Sequence, residues 1–157
     1  MIKVYFAGAI RGDRIVADTI KYLIDYIKIN LQIPVLSEHV GSENPVEEFA
    51  RKIKKSIDDL LAEDIETQDI QWLDQSTHVI AEISGASTGT GREIEYARTK
   101  DHFGKVPAKV LCIYALDREY FASPMIRGMN PEKYPNVIIK SYSSLDEAKD
   151  IVKNFLR

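Results

Sequence analysis

The chain has 157 residues, a net charge of −3 and a single cysteine. This length fits one domain, residues 1–157, with a core large enough to fold unaided. The acidic balance does not favour binding to a nucleic-acid polymer, although a few donors would suffice for a small anionic ligand. Cys112 alone excludes an intramolecular disulfide and a cysteine-based zinc site. Because no apolar stretch is long enough to span a bilayer and no signal peptide is apparent, we expect a cytoplasmic protein without a membrane partner.

The first third of the chain predicts two strands around one helix. Residues 2–7 are rich in β-branched and aromatic side chains and stop at Gly8, which is typical of a strand. Residues 16–29 carry apolar side chains at helical spacing. Residues 34–36 predict a short second strand, which a polar loop follows over residues 37–45.

The middle of the chain predicts helices on either side of a third strand. Residues 46–61 and 64–73 have helical periodicity, either as two helices or as one bent helix. Residues 77–83 form an apolar run typical of a strand. A loop of small residues follows at 85–91, and a helix is predicted to open directly from it over residues 92–100.

Two more strands and a helix complete the prediction. The strands are residues 109–114 and 137–140, and the helix runs from a cap at Ser143 or Ser144 through Phe155. Glu147 lies three residues after Ser144, which is a capping-box pattern. Strands separated by helices indicate a parallel sheet covered on both faces. We therefore predict a doubly wound, five-stranded α/β sandwich of the flavodoxin or Rossmann type.

Sheets of this kind bind ligands at the carboxyl ends of their strands. That rule directs attention to the four loops at residues 8–14, 37–45, 84–91 and 116–131. The loop at 84–91 is rich in glycine, so its backbone amides could approach a phosphate closely. The residues after Gly8 do not complete a dinucleotide-binding fingerprint, however. Glu93, expected in the first turn of the next helix, is either a favourable partner of the helix dipole or a catalytic carboxylate.

Three further positions are candidates for contact with a ligand. Asp69 shares a predicted helical face with Trp72 and Leu73, so it lies either at a solvated rim or facing a pocket. Arg11 and its neighbours bring guanidinium groups to the end of the first strand, where they suit a carboxylate or a phosphate. His39 follows the second strand and is either a structural residue or a ligand contact.

Five blocks of the chain, in order, resemble the nucleoside 2-deoxyribosyltransferase superfamily, and within it the 2′-deoxynucleoside 5′-phosphate N-hydrolases. The blocks span nearly the whole chain and are Val4-Tyr5-Phe6-Ala7-Gly8-Ala9-Ile10-Arg11-Gly12, Val35-Leu36-Ser37-Glu38-His39-Val40, Gln68-Asp69-Ile70-Gln71-Trp72-Leu73, Gly89-Thr90-Gly91-Arg92-Glu93-Ile94 and Ser123-Pro124-Met125-Ile126-Arg127-Gly128. Each block alone is a weak signal, but five in the same order are specific.

The resemblance implies a role for individual residues. Glu93 would be the nucleophile, Asp69 the acid near the base, and Tyr5 the residue that orients the nucleophile. Arg11, Ser87 and Ser123 would contact a 5′-phosphate, with Ser123 donated by the second subunit of a homodimer or larger assembly. The other expected substrate contacts are Gly8, Ala9, Ile10, Gly12, His39, Gly89, Gly91 and Met125.

The chain departs from the family pattern at two positions. Ala9 stands where the family commonly has serine, which removes one hydroxyl donor from the expected phosphate site and weakens the case for a phosphorylated substrate. Glu95 stands where the family commonly has glycine, so packing behind the nucleophile could differ. Neither departure touches Glu93 or Asp69.

Cleavage of an N-glycosidic bond needs two carboxyl groups in different states. One attacks C1′ as an anion, while the other protonates the leaving base. Glu93 must therefore be ionised, which a helix N-terminus favours, and Asp69 must have a raised pKa. This chemistry requires neither a metal nor a redox cofactor. The alternatives are a deoxyribosyltransferase, in which a second base attacks instead of water, and a non-catalytic nucleotide-binding module.

Overall fold

Four strands form one parallel sheet in the computed structural model, which describes residues 1–11 and 14–157. They are β1 (Val4–Ala7), β2 (His78–Glu82), β3 (Lys109–Ala115) and β4 (Val137–Tyr142), and they lie side by side in that order. The parallel α/β class predicted from the sequence is confirmed, and the number of strands is four rather than five.

Six α-helices connect or flank these strands in the described part of the chain. They are α1 (Ala17–Asp25), α2 (Pro45–Lys52), α3 (Ala62–Gln75), α4 (Thr88–Thr99), α5 (Pro124–Arg127) and α6 (Leu145–Phe155). A π-helical turn, Tyr26–Asn30, extends α1, and a 3-10 turn, Glu38–Gly41, precedes α2. Among these residues no helix has both the length and the apolar character needed to cross a membrane.

Helices cover both faces of the sheet. Since alternate side chains of each strand point to opposite faces, each face has its own apolar cluster. Phe6 and Ile80 belong to an apolar cluster that includes residues of α1 and α6. Tyr5 and Val79 belong to a second cluster, which includes Leu73 of α3 and Ile94 of α4. The Tyr5 side chain is therefore placed on the face of the sheet that α3 and α4 cover.

The predicted second strand, residues 34–36, is reduced to one bridge between Val35 and Val4. The Val4 backbone amide donates to the Pro34 carbonyl, and the Leu36 amide donates to the Val4 carbonyl. Among the described residues 37–41, none pairs with β1 in a ladder. Instead, the Ser37 hydroxyl makes the two hydrogen bonds that a neighbouring strand would make, accepting from the Phe6 amide and donating to the Phe6 carbonyl, both at 2.7 Å. Val35 still lies beside β1 on the side away from β2, where the flavodoxin-like order puts the second strand.

Two helix boundaries differ from the prediction by several residues. The region predicted as helix over 46–61 ends at Lys52, and Lys54 takes a left-handed conformation with φ of 60°. Helices α2 and α3 are therefore separate, which is the first of the two predicted alternatives. Helix α4 begins at Thr88 rather than at Arg92, so most of the expected glycine loop is its first turn.

Replacing Ser37 with alanine should destabilise the fold. Ser37 is fully buried, and its hydroxyl satisfies both backbone groups of Phe6. Leaving these groups unpaired costs about 1–3 kcal/mol in free energy of unfolding. Urea denaturation of Ser37→Ala beside the exposed control Ser143→Ala measures the difference. Equal stability of the two variants would contradict the conclusion that the Ser37 hydroxyl satisfies the backbone groups of Phe6 in place of a neighbouring strand.

Candidate active site

Strand β1 brings a tyrosine against a buried carboxylate. The Tyr5 side chain is 1% exposed, and its hydroxyl donates to Glu93 Oε1 at 2.8 Å. Burial and the charge of Glu93 raise the pKa of Tyr5 well above its usual value, so the phenol remains protonated. Tyr5 is thereby held as a hydrogen-bond donor to Glu93.

Helix α4 sets the position of Glu93. Ser87 caps the helix, because its hydroxyl accepts from the Thr90 backbone amide at 3.2 Å. Ile94 and Ala97 are buried against the sheet and fix the rotation of the helix. Since the helix starts at Thr88, Glu93 lies in its second turn, and the expected place in the first turn is wrong. The helix dipole falls off beyond the first turn, so it does little to keep this carboxylate ionised.

Helix α3 supplies the second carboxyl group. Leu73, 1% exposed, anchors the helix in the core, and Asp69 lies one turn before it. Asp69 and Glu93 share the wall of a cavity of about 230 Å³ between α3 and α4, whose apolar surface comes from residues such as Ile65 and Ile70. Asp69 Oδ1 is buried without a hydrogen-bond partner among the described residues. A buried acceptor of this kind is suited to carrying a proton or receiving a ligand.

Both carboxyl groups hold protons more tightly than exposed acids do. Burial, and secondly the charge of Asp69, raises the pKa of Glu93 to about 8. Burial likewise raises the pKa of Asp69 to about 6. Between these two values the pair holds one proton and one negative charge, and the titration belongs to the pair as a whole. Because Glu93 has the higher pKa, the shared proton of the free enzyme lies mainly on Glu93. A nucleophilic Glu93 and a general acid at Asp69 require the other, less populated arrangement, with the proton on Asp69 and the charge on Glu93.

Groups suited to binding an anion lie beside the carboxyl pair. Arg11 and Ile10, after β1, line a second cavity of about 490 Å³ together with Ser87 and Gly89. Gly89 also lines the cavity of Glu93, so the two cavities adjoin. A Cβ atom on Gly89 would have its nearest contact at 3.9 Å, so the glycine leaves room for a ligand to approach. The amides of Thr88 and Gly89, the first two residues of α4, have no partner within the helix and are available to an anion, whereas the Thr90 amide donates to Ser87.

Several predicted contacts lie away from these cavities. Gly8 is required by packing, because a Cβ there would come within 2.9 Å of Ile20 Cδ1. Ala9 is 5% exposed. His39 is 2% exposed and packs edge-on against Phe49, and burial lowers its pKa to about 3, so the ring is neutral. Gly12 lies outside the described residues. Contact of these four residues with substrate remains a prediction.

Ser123, Met125 and Gly91 lie together, but not with Glu93. They line a third cavity of about 540 Å³ on the other side of the α4 N-terminus. Ser87 lines this cavity as well as the one beside Arg11. Ala86 and Thr88 are shared in the same way, so within one chain the cavity of Ser123 and the cavity of Arg11 lie on two sides of residues 86–88.

The sequence reading missed two acids near the site. Glu66 lies three residues before Asp69 and therefore on the same face of α3. Its carboxylate accepts a hydrogen bond from Arg92 at 2.7 Å. Both residues line the cavity of the carboxyl pair. Glu82 ends β2 and is 2% exposed. The signal in the sequence is an acid that directly follows the apolar residues 79–81 of a predicted strand.

The chain has relatives that match over nearly its full length. It is 34% identical over 153 residues to a protein of Nematostella vectensis that carries the name 2′-deoxynucleoside 5′-phosphate N-hydrolase 1, with 98% of this chain and 92% of that one aligned. It is 30% identical over 156 residues to the 5-hydroxymethyl-dUMP N-hydrolase of Tetraodon nigroviridis, with 98% and 96% aligned. No family model matches the chain.

A solved structure shares the fold. The CMP N-glycosidase of Clostridium botulinum superposes with a TM-score of 0.60 over 98% of both chains, at 18% identity. Together with the full-length relatives, the sheet and its paired carboxyl groups define an enzyme of the N-glycosidase class. The chain belongs to the 2′-deoxynucleoside 5′-phosphate N-hydrolase family.

Proposed function

We propose that this enzyme hydrolyses the N-glycosidic bond of 2′-deoxynucleoside 5′-monophosphates to a free base and deoxyribose 5-phosphate. The observation that carries the proposal is that the buried Asp69 and Glu93, which accepts a hydrogen bond from Tyr5, line one cavity. That cavity adjoins another one lined by Arg11 and Ser87. A phosphate beside Arg11 leaves the sugar facing the carboxyl pair, which is the order of groups in a nucleotide.

The proposed reaction has two steps through a covalent intermediate. A Glu93 oxygen attacks C1′, the bond from C1′ to the base nitrogen breaks, and its electron pair leaves with the base, which takes a proton from Asp69. Water then attacks C1′, gives a proton to the Asp69 carboxylate and releases the Glu93 carboxylate. Tyr5 donates to the ionised form of Glu93, and positive charge developing at C1′ favours that form further.

Arg11 is the charged donor that we propose for the 5′-phosphate. The planar fork of a guanidinium group can donate two hydrogen bonds to a phosphate, and such charge-assisted hydrogen bonds are stronger than neutral ones. The amides at the start of α4 and the Ser87 side chain lie on the same cavity wall. These groups outweigh the one hydroxyl that Ala9 lacks, so the phosphate still contributes to binding.

The pH profile of kcat/KM should be bell-shaped, because the reaction needs one proton shared by the carboxyl pair. Activity falls below pH about 6, where Asp69 and Glu93 are both protonated. It falls above pH about 8, where both are ionised and the acid is lost. The substrate phosphate also titrates near pH ~6, so the alkaline limb is diagnostic. Asp69→Asn should remove that limb, and an unchanged alkaline limb in the variant would contradict its role as the acid.

Replacing Glu93 should abolish turnover while leaving the fold intact. Loss of the nucleophile removes covalent catalysis, so Glu93→Gln should retain less than about a thousandth of the wild-type kcat. Release of free base from a panel of deoxynucleoside 5′-monophosphates and deoxynucleosides measures this, with the exposed Glu63→Gln on α3 as control. Retention of a tenth of the activity would contradict the assignment.

The same panel decides between hydrolysis and transfer and tests the phosphate site. Arg11→Ala should lower kcat/KM for monophosphates by about ten- to a hundredfold, the value of one charge-assisted contact, and leave kcat/KM for nucleosides unchanged.

Mass spectrometry of quenched reactions should show Glu93 carrying a deoxyribose 5-phosphate group. Preference for nucleosides, with deoxyribose passed to an added free base, would instead establish a transferase.

We also propose that two subunits complete each site. The cavity that holds Ser123 is lined by apolar side chains, among which Phe121 is 54% and Met125 is 86% exposed. An exposed apolar surface beside a functional loop is typical of an interface. In a two-fold contact the same patch is used in both directions, so the Ser123 of each subunit would reach the Ser87 of the other.

Mixing two defective proteins tests this sharing of sites. Glu93→Ala protein and Ser123→Ala protein are each expected to be impaired. In a mixed dimer with shared sites, one pocket carries both defects and the other carries neither, so each mixed dimer should have about half the activity of a wild-type dimer. Because random exchange of equal amounts makes about half of the dimers mixed, the mixture should reach about a quarter of the wild-type activity. Native mass spectrometry confirms the exchange. Exchange without recovered activity would place Ser123 in the same pocket as its own Glu93.

A further inference from the structure

Glu82 is a buried acid for which the proposed reaction has no use. It ends β2, is 2% exposed and lies two residues after Ile80, on the face of the sheet that α1 and α6 cover. Tyr5, the donor to Glu93, belongs to the cluster on the opposite face. A carboxyl group buried in this way is stable only when its oxygens are hydrogen-bonded, so its partners show what it holds in place.

The partners of Glu82 connect the ends of three strands. Its Oε2 accepts from the Ser84 backbone amide at 3.1 Å, and its Oε1 accepts from the Ser84 hydroxyl and, at 3.2 Å, from the Tyr142 hydroxyl of β4. The Ser84 hydroxyl oxygen in turn accepts from the backbone amide of Ala115, the last residue of β3, at 2.8 Å. One carboxyl group thus fixes Ser84 relative to β2, β3 and β4.

Ser84 is the first residue of the short segment that leads to α4. Ser87, at the other end, is fixed as the cap of that helix. Only Gly85 and Ala86 lie between these two anchors, and Ala86 lines the cavity beside Arg11. The path of the backbone along the proposed phosphate site is therefore set by the Ser87 cap at one end and by Glu82 at the other.

We propose that Glu82 is a positioning residue, which holds residues 84–87 in place to receive the 5′-phosphate of the substrate. This inference rests on the proposed function, because it needs a phosphate in the Arg11 cavity. Glu82 itself touches neither the cavity nor the reacting atoms. Its loss should weaken binding of the phosphate equally in the ground state and the transition state, which raises KM and leaves kcat unchanged.

The strength of this anchor depends on the charge of Glu82. An ionised carboxylate accepts all three hydrogen bonds, and charge-assisted bonds are about twice as strong as neutral ones. Burial raises the pKa of Glu82 to about 7, opposed by the hydrogen bonds from Ser84 and Tyr142 and by the positive charge of Arg118. The anchor is therefore charged above neutral pH and weakens as the pH falls below it.

Steady-state kinetics of Glu82→Gln test the proposal with a deoxynucleoside 5′-monophosphate that the wild type cleaves. At pH 8 we expect KM to rise about tenfold, the value of a charge-assisted anchor, with kcat changed less than about twofold. At pH 6 the wild-type carboxyl is itself protonated, so the difference in KM between the two proteins should shrink to about twofold. The titration of the substrate phosphate affects both proteins alike and cancels in this comparison.

Tyr142→Phe provides an independent arm if the Gln variant folds poorly. It removes one hydroxyl donor from Glu82, so we expect KM to rise about threefold at pH 8. The matched control is Tyr96→Phe, which loses a 2.8 Å hydrogen bond to Asp74 far from residues 84–87 and should leave KM unchanged. Circular dichroism establishes that each variant is folded.

The outcomes separate the two proposals. A lower kcat with unchanged KM, or the same difference in KM at pH 6 and pH 8, would overturn the role of Glu82 and leave the proposed function standing. A wild type that cleaves no deoxynucleoside 5′-monophosphate would overturn both. A rise in KM that diminishes towards pH 6 in Glu82→Gln, together with an unchanged Tyr96→Phe, supports the positioning role.

Discussion

The burial of two carboxyl groups in one cavity is the constraint on which this site depends. Taking a carboxylate out of water is costly, and two neighbouring anions would add their repulsion. The pair answers this by holding one proton between pH about 6 and about 8. A single proton on two acids is also what a nucleophile and a general acid need between them, so the same physical cost prepares the site for its chemistry.

The relative position of the two acids depends on how α3 and α4 are joined. Asp69 is carried by α3 and Glu93 by α4, and few residues separate either one from its anchor in the core. Lys100, just after α4, is 1% exposed and donates to the carbonyls of Leu73 and Ser76 at 2.7 Å each. A positive group on the last carbonyls of α3 satisfies acceptors that the helix leaves unpaired. The end of α4 is thus tied to the end of α3.

The sequence predicted the parts of this structure that depend on local pattern. Strands with apolar runs and the helix that carries Asp69 were found, because burial on two faces and helical periodicity leave clear signals. The predicted second strand is reduced to one bridge, because the Ser37 hydroxyl makes the hydrogen bonds to Phe6 that a longer strand would make. Local sequence pattern does not show this, since it depends on which backbone groups lie next to Ser37 in the fold. The predicted start of α4 is four residues late, because the glycines at 89 and 91 favour a loop. In the structure the helix includes both glycines, because Ser87 caps its N-terminus before them.

The candidate site was predicted residue by residue only where the family pattern reached. Glu93, Asp69 and Tyr5 meet in the fold although they come from three distant segments. Periodicity could not show this, since contacts between segments are set by the topology of the sheet. The raised pKa of Glu93 was equally beyond a sequence reading, because it follows from burial of the side chain and from the neighbouring Asp69.

The two faces of the sheet use buried acids for different purposes at the same edge. On one face a cavity adjoins Asp69 and Glu93, so their protons can be exchanged with a substrate. On the other face Glu82 has its oxygens occupied by Ser84 and Tyr142. Desolvation raises the pKa of all three, yet only the acids that face open space can react. Access to a ligand, and not the size of the pKa shift, therefore separates the two acids proposed to react from the one proposed to position residues 84–87.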